Sequence, residues 1–187
     1  MKMLIVVDYQ QDFINMALGF EGAEKMDVAI AAKIREYHAN GDLVVQTMDT
    51  HSFDYMSTRE GKHLPIIHCV YGTPGWATYG ETGKAIKEIK NSVQFRQIQK
   101  RTFACHPYEM IDMMDWIVMN GIDLNGIDEI EFVGLVSNIC VISNICVFQG
   151  VFPNAQIIVD PNLIASFDPK AHEAVLEVMK GLQVQFI

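Results

Sequence analysis

The chain has 187 residues, half of them hydrophobic and a fifth charged, with a formal net charge of -9 at pH 7. That length suits one domain spanning residues 1–187 with a single large core, and an acidic balance without any Lys/Arg-rich run argues against a nucleic-acid binder. Four cysteines, at 69, 105, 140 and 146, form no C-x-x-C pair and no zinc-finger spacing; with no signal-peptide pattern ahead of Asp8, they read as free thiols of a cytoplasmic protein.

In chain order, Met3 to Asp8 is a near-continuous aliphatic run, the pattern of a strand buried on both faces of a parallel sheet. Asp27 to Asn40 has helical spacing through Ile30, Ala31, Ile34 and Tyr37, and Asn40-Gly41 supplies a stop. Asp42 to Met48 returns to strand character. From Asp49 to Tyr79 the chain is rich in Gly, Pro, His and Thr and lacks a clear period, and ordered loops of that length are usually functional. Glu81 to Lys90 reads as a short charged helix, Ser92 to Lys100 as a strand, and Pro107 to Asn120 as a helix opened by proline and closed by Asn120-Gly121. Glu129 to Leu135 is the next strand. A helix beginning near Ile139, capped by Ser137 or Asn138, runs to about Gly150. Gln156 to Asp160 is a strand, Pro169 to Lys180 a helix, and Gln183 to Ile187 a last strand. Strands alternating with helices predict a parallel sheet covered on both faces. The uncharged stretch from Phe132 to Val159 is too often broken by Ser, Asn, Gln and Pro to cross a membrane.

In such a sheet, ligands bind beyond the carboxyl ends of the strands. Three reactive side chains fall there: Asp8 after the first strand, Lys100 at the end of the third, and Cys140 at the first turn of a helix, where backbone N–H groups and the dipole favour a thiolate. Each has a plain alternative as a turn cap, a solvated strand end or a core thiol; their shared placement favours one crevice. Asp49 and His51 lie two apart at a strand end and point to the same side. Glu60 and His68 follow in the same long loop, with His63 competing with Glu60. A mixed Asp/His/Glu set suits zinc, iron or manganese. Cys146 lies about 240° around the helix from Cys140 at 3.6 residues per turn, so it reads as a buried structural thiol, as do Cys69 and Cys105. His38 and His172 read as surface residues.

The sequence resembles the isochorismatase-like cysteine hydrolases, the superfamily that includes nicotinamidases. The resemblance is carried by Val6-Val7-Asp8 with Asp12-Phe13, Asp49-Thr50-His51, His68-Cys69-Val70-Tyr71-Gly72-Thr73, Lys100-Arg101-Thr102-Phe103, and Gly134-Leu135-Val136-Ser137-Asn138-Ile139-Cys140-Val141, in family order across nearly the whole chain. It implies a three-layer α/β/α fold on a six-stranded, mainly parallel sheet. It implies a triad of Asp8, Lys100 and Cys140, a cis peptide between Leu135 and Val136 that shapes an oxyanion site, and a divalent metal, zinc foremost, on Asp49, His51, His68 and Glu60. The activity implied is hydrolysis of a small-molecule amide through a thioester, nicotinamide to nicotinate first among them. An N-carbamoyl or ureido substrate is the nearest rival, and a non-catalytic thiol sensor on the same fold is the alternative from another class. Phe13 is expected as an apolar wall for a flat ring, and Trp76 as a border of the same pocket. Two positions depart from the nicotinamidase pattern: Leu64-Pro65-Ile66-Ile67 stands where a tryptophan commonly precedes the metal histidine, and Asn138 stands where an acidic residue is common. The sequence leaves a homo-oligomer open.

Overall fold

The computed structural model describes residues 1–187. Six strands form one sheet: β1 (Lys2–Val7), β2 (Leu43–Asp49), β3 (Phe95–Lys100), β4 (Glu129–Leu135), β5 (Gln156–Ala165) and β6 (Gln185–Phe186). Their order is β3-β2-β1-β4-β5-β6, and every neighbouring pair is parallel. The helices are α1 (Gln11–Ile14), α2 (Asp27–Ala39), α3 (Arg59–His63), α4 (Gly80–Ile89), α5 (Pro107–Met119), α6 (Ile142–Val151) and α7 (Pro169–Gly181).

The aliphatic run of β1 explains the three layers. Met3, Ile5 and Val7 point to the side covered by Met113 and Ile117 of α5, Phe148 of α6 and Met179 of α7. Leu4 and Val6 point the other way, onto Ile30 and Ile34 of α2 and Ile86 of α4. A strand with apolar residues at every position is stable only when both faces are covered. Each fully buried aliphatic side chain then contributes about 1.5–3 kcal/mol against the entropy of ordering the chain.

The strand order reverses direction between β1 and β4, which opens a crevice at their carboxyl ends. Gly134 lets the two strands meet there. Its φ is +112°, and a Cβ at that position would collide with the Val7 carbonyl oxygen. The residues that follow β1 and β4, and those that end β2 and β3, therefore gather at one edge.

Several elements differ from the sequence expectation. The long segment after β2 is not a featureless loop: it contains α3 and two short 3-10 turns, Tyr55–Ser57 and Pro74–Trp76. It folds back on itself, because His51 N–H donates to the Cys69 carbonyl at 2.9 Å and Tyr71 N–H to that of His51 at 2.9 Å. β5 continues past Asp160-Pro161 to Ala165, because a bulge absorbs those residues and Ile164 then pairs with Gly134. β3 starts only at Phe95, since Ser92 and Gln94 close the turn after α4. β6 is shorter than Gln183–Ile187, because Gln183 has a φ of +63° and belongs to the turn after α7.

Candidate active site

Asp8, Lys100 and Cys140 meet at the crevice. Lys100 Nζ lies 2.6 Å from Asp8 Oδ2 and 3.6 Å from Cys140 Sγ, and all three side chains are buried. Parallel pairing of β1, β2 and β3 carries Asp8 beside Lys100 across the end of β2. Asp8 adopts a positive φ of 45°, uncommon for a side-chain-bearing residue outside glycine positions, and Thr47 Oγ1 donates to its Oδ1 at 2.7 Å. Lys100 Nζ also donates to the Thr102 carbonyl at 3.0 Å. The lysine is thus held on several sides.

The turn carrying Cys140 is not the capped helix start expected from Ser137 and Asn138. Ser137–Val141 forms one π-type turn that precedes α6, and the residue before it, Val136, is extended and makes no side-chain cap. The reason is that Ser137 Oγ is taken by His172 Nδ1 at 2.9 Å, while Val141 N–H reaches back to the Val136 carbonyl at 3.1 Å. His172 is accordingly a half-buried partner of this turn rather than a surface residue. The Leu135–Val136 peptide is cis. The Val136 N–H donates to no backbone group of the chain, so it is free to face a ligand. Cys146 is exposed, not buried, because the side of α6 opposite Asn144, Ile145 and Phe148 faces solvent.

Burial dominates the electrostatics. It pushes the Cys140 thiol well above its ordinary value, with Lys100 opposing and Asp8 adding to the rise. The expectation of a thiolate favoured by a helix start meets an opposing effect here, the burial of the thiol. Burial also raises Asp8, against the pull of Lys100, which suits a carboxylate that must accept a proton. For Lys100, burial works against the charge, but Asp8, Cys140 and Asp49 together hold it well above the ordinary lysine value.

The second cluster adjoins the first. Asp49 Oδ1 is 3.6 Å from Lys100 Nζ, and its Oδ2 is 3.0 Å from His51 Nε2 and 3.3 Å from His68 Nε2. Glu60 Oε1, on α3, lies 3.6 Å from His51 Nε2 and 4.0 Å from His68 Nε2. One ligand atom from each of these four residues falls within 4.8 Å of the others. His63 is outside the group, so the geometry selects Glu60. His68 Nδ1 donates to the Ile66 carbonyl at 2.8 Å, which orients the ring so that Nε2 faces Asp49 and Glu60. Burial pushes Asp49 up, but Lys100, His51 and His68 outweigh it and hold its carboxyl well below the usual range. Burial and the neighbouring Asp49 raise Glu60, and His68 is raised because Asp49 outweighs its burial. Two carboxylates, Asp8 and Asp49, thus share one ammonium, and Glu60 adds a third acidic side chain beside the two imidazoles. Two imidazole nitrogens and two carboxylates around a deficit of positive charge are a donor set that fits a divalent cation.

Both clusters open into a cavity of about 720 Å³ whose lining includes Phe13, Asp49, Glu60, His68, Val136 and Cys140. Phe13 stands edge-on to His68, with centroids 5.6 Å apart. Trp76, expected at the border, is not among the lining residues: its Nε1 donates to Thr50 Oγ1 at 2.9 Å and its ring packs on Tyr71. Four supporting residues have no role assigned from the sequence, although Asp12 belongs to the Asp8-to-Phe13 motif. Thr47 holds Asp8. Gln10 clamps Asp49 through both backbone groups, donating to its carbonyl at 2.9 Å and accepting from its N–H at 2.8 Å. Asp12 accepts from Cys69 N–H at 2.7 Å. Asn144, fully buried, donates to the Cys140 carbonyl at 2.8 Å and the Phe103 carbonyl at 3.1 Å and accepts from Cys105 N–H at 3.0 Å. Gln10 and Asp12 lie inside the Asp8-to-Phe13 run, and Asn144 is one turn from Cys140, so spacing could have flagged them.

Residues 2–187 match the isochorismatase domain family. A curated relative, described as an uncharacterized isochorismatase family protein PncA of Bacillus subtilis, is 23% identical over 175 residues, covering 91% of this chain and 90% of that protein. The solved nicotinamidase/pyrazinamidase PncA from Bacillus subtilis superposes with a TM-score of 0.85 at 26% identity, covering 99% of this chain and 98% of that one. A pyrazinamidase of Pyrococcus horikoshii, solved in complex with zinc, has the same fold, with a TM-score of 0.77, 21% identity and coverage of 100% and 98%.

Proposed function

Because this chain belongs to the isochorismatase family, we propose that it is a cysteine amidohydrolase of nicotinamidase type, converting nicotinamide and water to nicotinate and ammonia. The observation that carries the reading is the position of Lys100 Nζ, 2.6 Å from a carboxylate and 3.6 Å from a thiol at the floor of a cavity. In this reading Asp8 accepts the proton of Cys140 as the sulfur attacks the carboxamide carbon. Burial keeps the resting thiol protonated, so its proton passes to Asp8 in the same step as the attack, and Lys100 stabilises the negative charge as it moves between sulfur and carboxylate. The Val136 and Cys140 N–H groups donate hydrogen bonds to the developing oxyanion. Asp8 then gives its proton to the departing ammonia, leaving a thioester on Cys140. Next it removes a proton from water, whose oxygen attacks the thioester carbon; the C–S bond breaks, Asp8 returns the proton to the Cys140 sulfur, and the acid leaves as nicotinate after giving its carboxyl proton to solvent.

Asp49, His51, Glu60 and His68 would hold a divalent metal, zinc first given the zinc-bound pyrazinamidase of the same fold. When bound, the metal supplies a Lewis-acidic position for a ring nitrogen of the substrate. Phe13 would flank that ring. The test is ammonia release from nicotinamide by the purified enzyme, with Cys140→Ala as control. Turnover lost by roughly 10³-fold or more in the variant, the size expected for removing a covalent nucleophile, supports the reading; equal turnover by the two proteins refutes it.

A further inference from the structure

The cavity above Cys140 has more room, and a different lining, than a bare aromatic amide needs. Its volume of about 720 Å³ falls in the upper half of the roughly 300–1,000 Å³ range that drug-sized ligands occupy. Its polar groups are gathered at one end, where Asp49, Glu60 and His68 adjoin Cys140, with Arg59 and His63 of α3 at the rim. The remaining walls are apolar, formed by Leu18, Ile66, Phe103, Ile139 and Phe167 with Phe13.

The outer part of this wall is exposed. Ile66 is 41% exposed, Phe103 38% and Phe167 59%. They come from three separate segments: the loop before His68, the loop after Lys100 and the turn before α7. Three large apolar side chains around one opening leave a wetted patch that an apolar occupant would cover favourably. Ile66, Phe103 and Phe167 line the same cavity as Cys140, and Asn144 ties the backbone of Phe103 to that of Cys140. An amide at the thiol and a substituent on this wall would therefore occupy one cavity.

We propose that the substrate is an aromatic amide bearing an apolar substituent of several carbons, with the carboxamide at Cys140 and the substituent against Ile66, Phe103 and Phe167. This deepens the amidase reading and rests on it. Arg59 is exposed at the rim, where water already solvates its charge, so the unsatisfied feature of the cavity is apolar rather than anionic.

The experiment compares nicotinamide with derivatives bearing methyl, propyl and carboxyethyl groups at each free ring carbon, read as kcat/KM for ammonia release. The same series is titrated calorimetrically into the Cys140→Ala variant. At one ring position kcat/KM should rise about fourfold per added methylene, the equivalent of ~0.8 kcal/mol per buried CH₂. The ratio of propyl to unsubstituted amide should fall toward one in Phe167→Ala. Nicotinamide turnover that depends on Cys140, with ratios at or below one at every position, overturns the inference and leaves the amidase reading standing. A carboxyethyl compound that outperforms propyl also overturns it and assigns the wall to an anion held by Arg59. If no compound releases ammonia, the amidase reading fails on its own, and calorimetry decides the apolar subsite: tightening from methyl to propyl upholds it, and unchanged or weaker binding overturns it.

Discussion

Lys100→Met is the substitution that exposes how the buried charges are balanced. Lys100 is fully buried with its ammonium 2.6 Å from Asp8 and 3.6 Å from Asp49. Methionine preserves most of the side-chain volume but leaves two carboxylates without their shared cation. Removing one partner of a buried ion pair costs about 3–5 kcal/mol, and for a chain of this length ~1 kcal/mol shifts the melting temperature by roughly 2–4 °C. The single variant should therefore melt about 6–20 °C lower. Asp8→Asn in the same background removes the stranded charge, so the double variant should recover about 2 kcal/mol or more of coupling in a thermodynamic cycle. The pH dependence has a definite sign. Without Lys100 the folded pKa of Asp8 lies further above its unfolded value of about 3.9. The folded form then binds the proton more tightly, and the deficit grows as pH rises from that value until the folded pKa is passed. Urea denaturation of the four proteins at pH 4.5 and 7.5 measures both effects. A coupling below about 0.5 kcal/mol, the size expected for independent sites, would refute the assignment of Lys100 as the shared counter-ion.

Asn144→Ala should lose about 2–4 kcal/mol of stability, since it strands the Cys105 N–H and removes two bonds to buried carbonyls; a melting temperature within error of the parent contradicts that role. In a Cys146→Ser background, alkylation of Cys140, followed by peptide mass, should still rise with pH beyond 9.0, because burial holds the thiol well above that value; a plateau below pH 8 would mean a resting thiolate. Added zinc should raise the melting temperature of the chelator-treated protein by mass action, and Asp49→Asn should abolish the rise. Its affinity should weaken as pH falls through the titration of His68, which Asp49 holds above the usual 6.5, because the proton and the metal compete for Nε2; an affinity independent of pH between 5 and 8 would argue against His68 as a ligand.

The strand ends were readable because the apolar runs of β1 and β2 and the alternating pattern of β3 each stop at a residue that cannot stay in the core without a partner: Asp8, Asp49 and Lys100. The sheet then brings those three together by register alone, since Asp49 pairs with Lys100 across β2 and β3. The nucleophile turn was harder. Ser137 has the residue type of a cap, but its hydroxyl is recruited by His172, thirty-five positions away in sequence, and no local pattern announces that. Trp76 follows a Gly-Pro-rich turn that looks like a pocket rim, yet Thr50 draws its indole N–H inward. The four-residue Asp/His/Glu group depends on His51 bridging to Val70, a long-range contact that aligns His68 with His51. The cavity and its apolar wall depend on three loops meeting, and such meetings are set by tertiary packing rather than by period.

The most direct test of the proposed chemistry is the release of ammonia from nicotinamide by the intact protein and by Cys140→Ala, each with and without chelator. Turnover by the intact protein that vanishes in the variant and falls on chelation is the predicted result. Turnover that survives the loss of the Cys140 thiol would contradict the account.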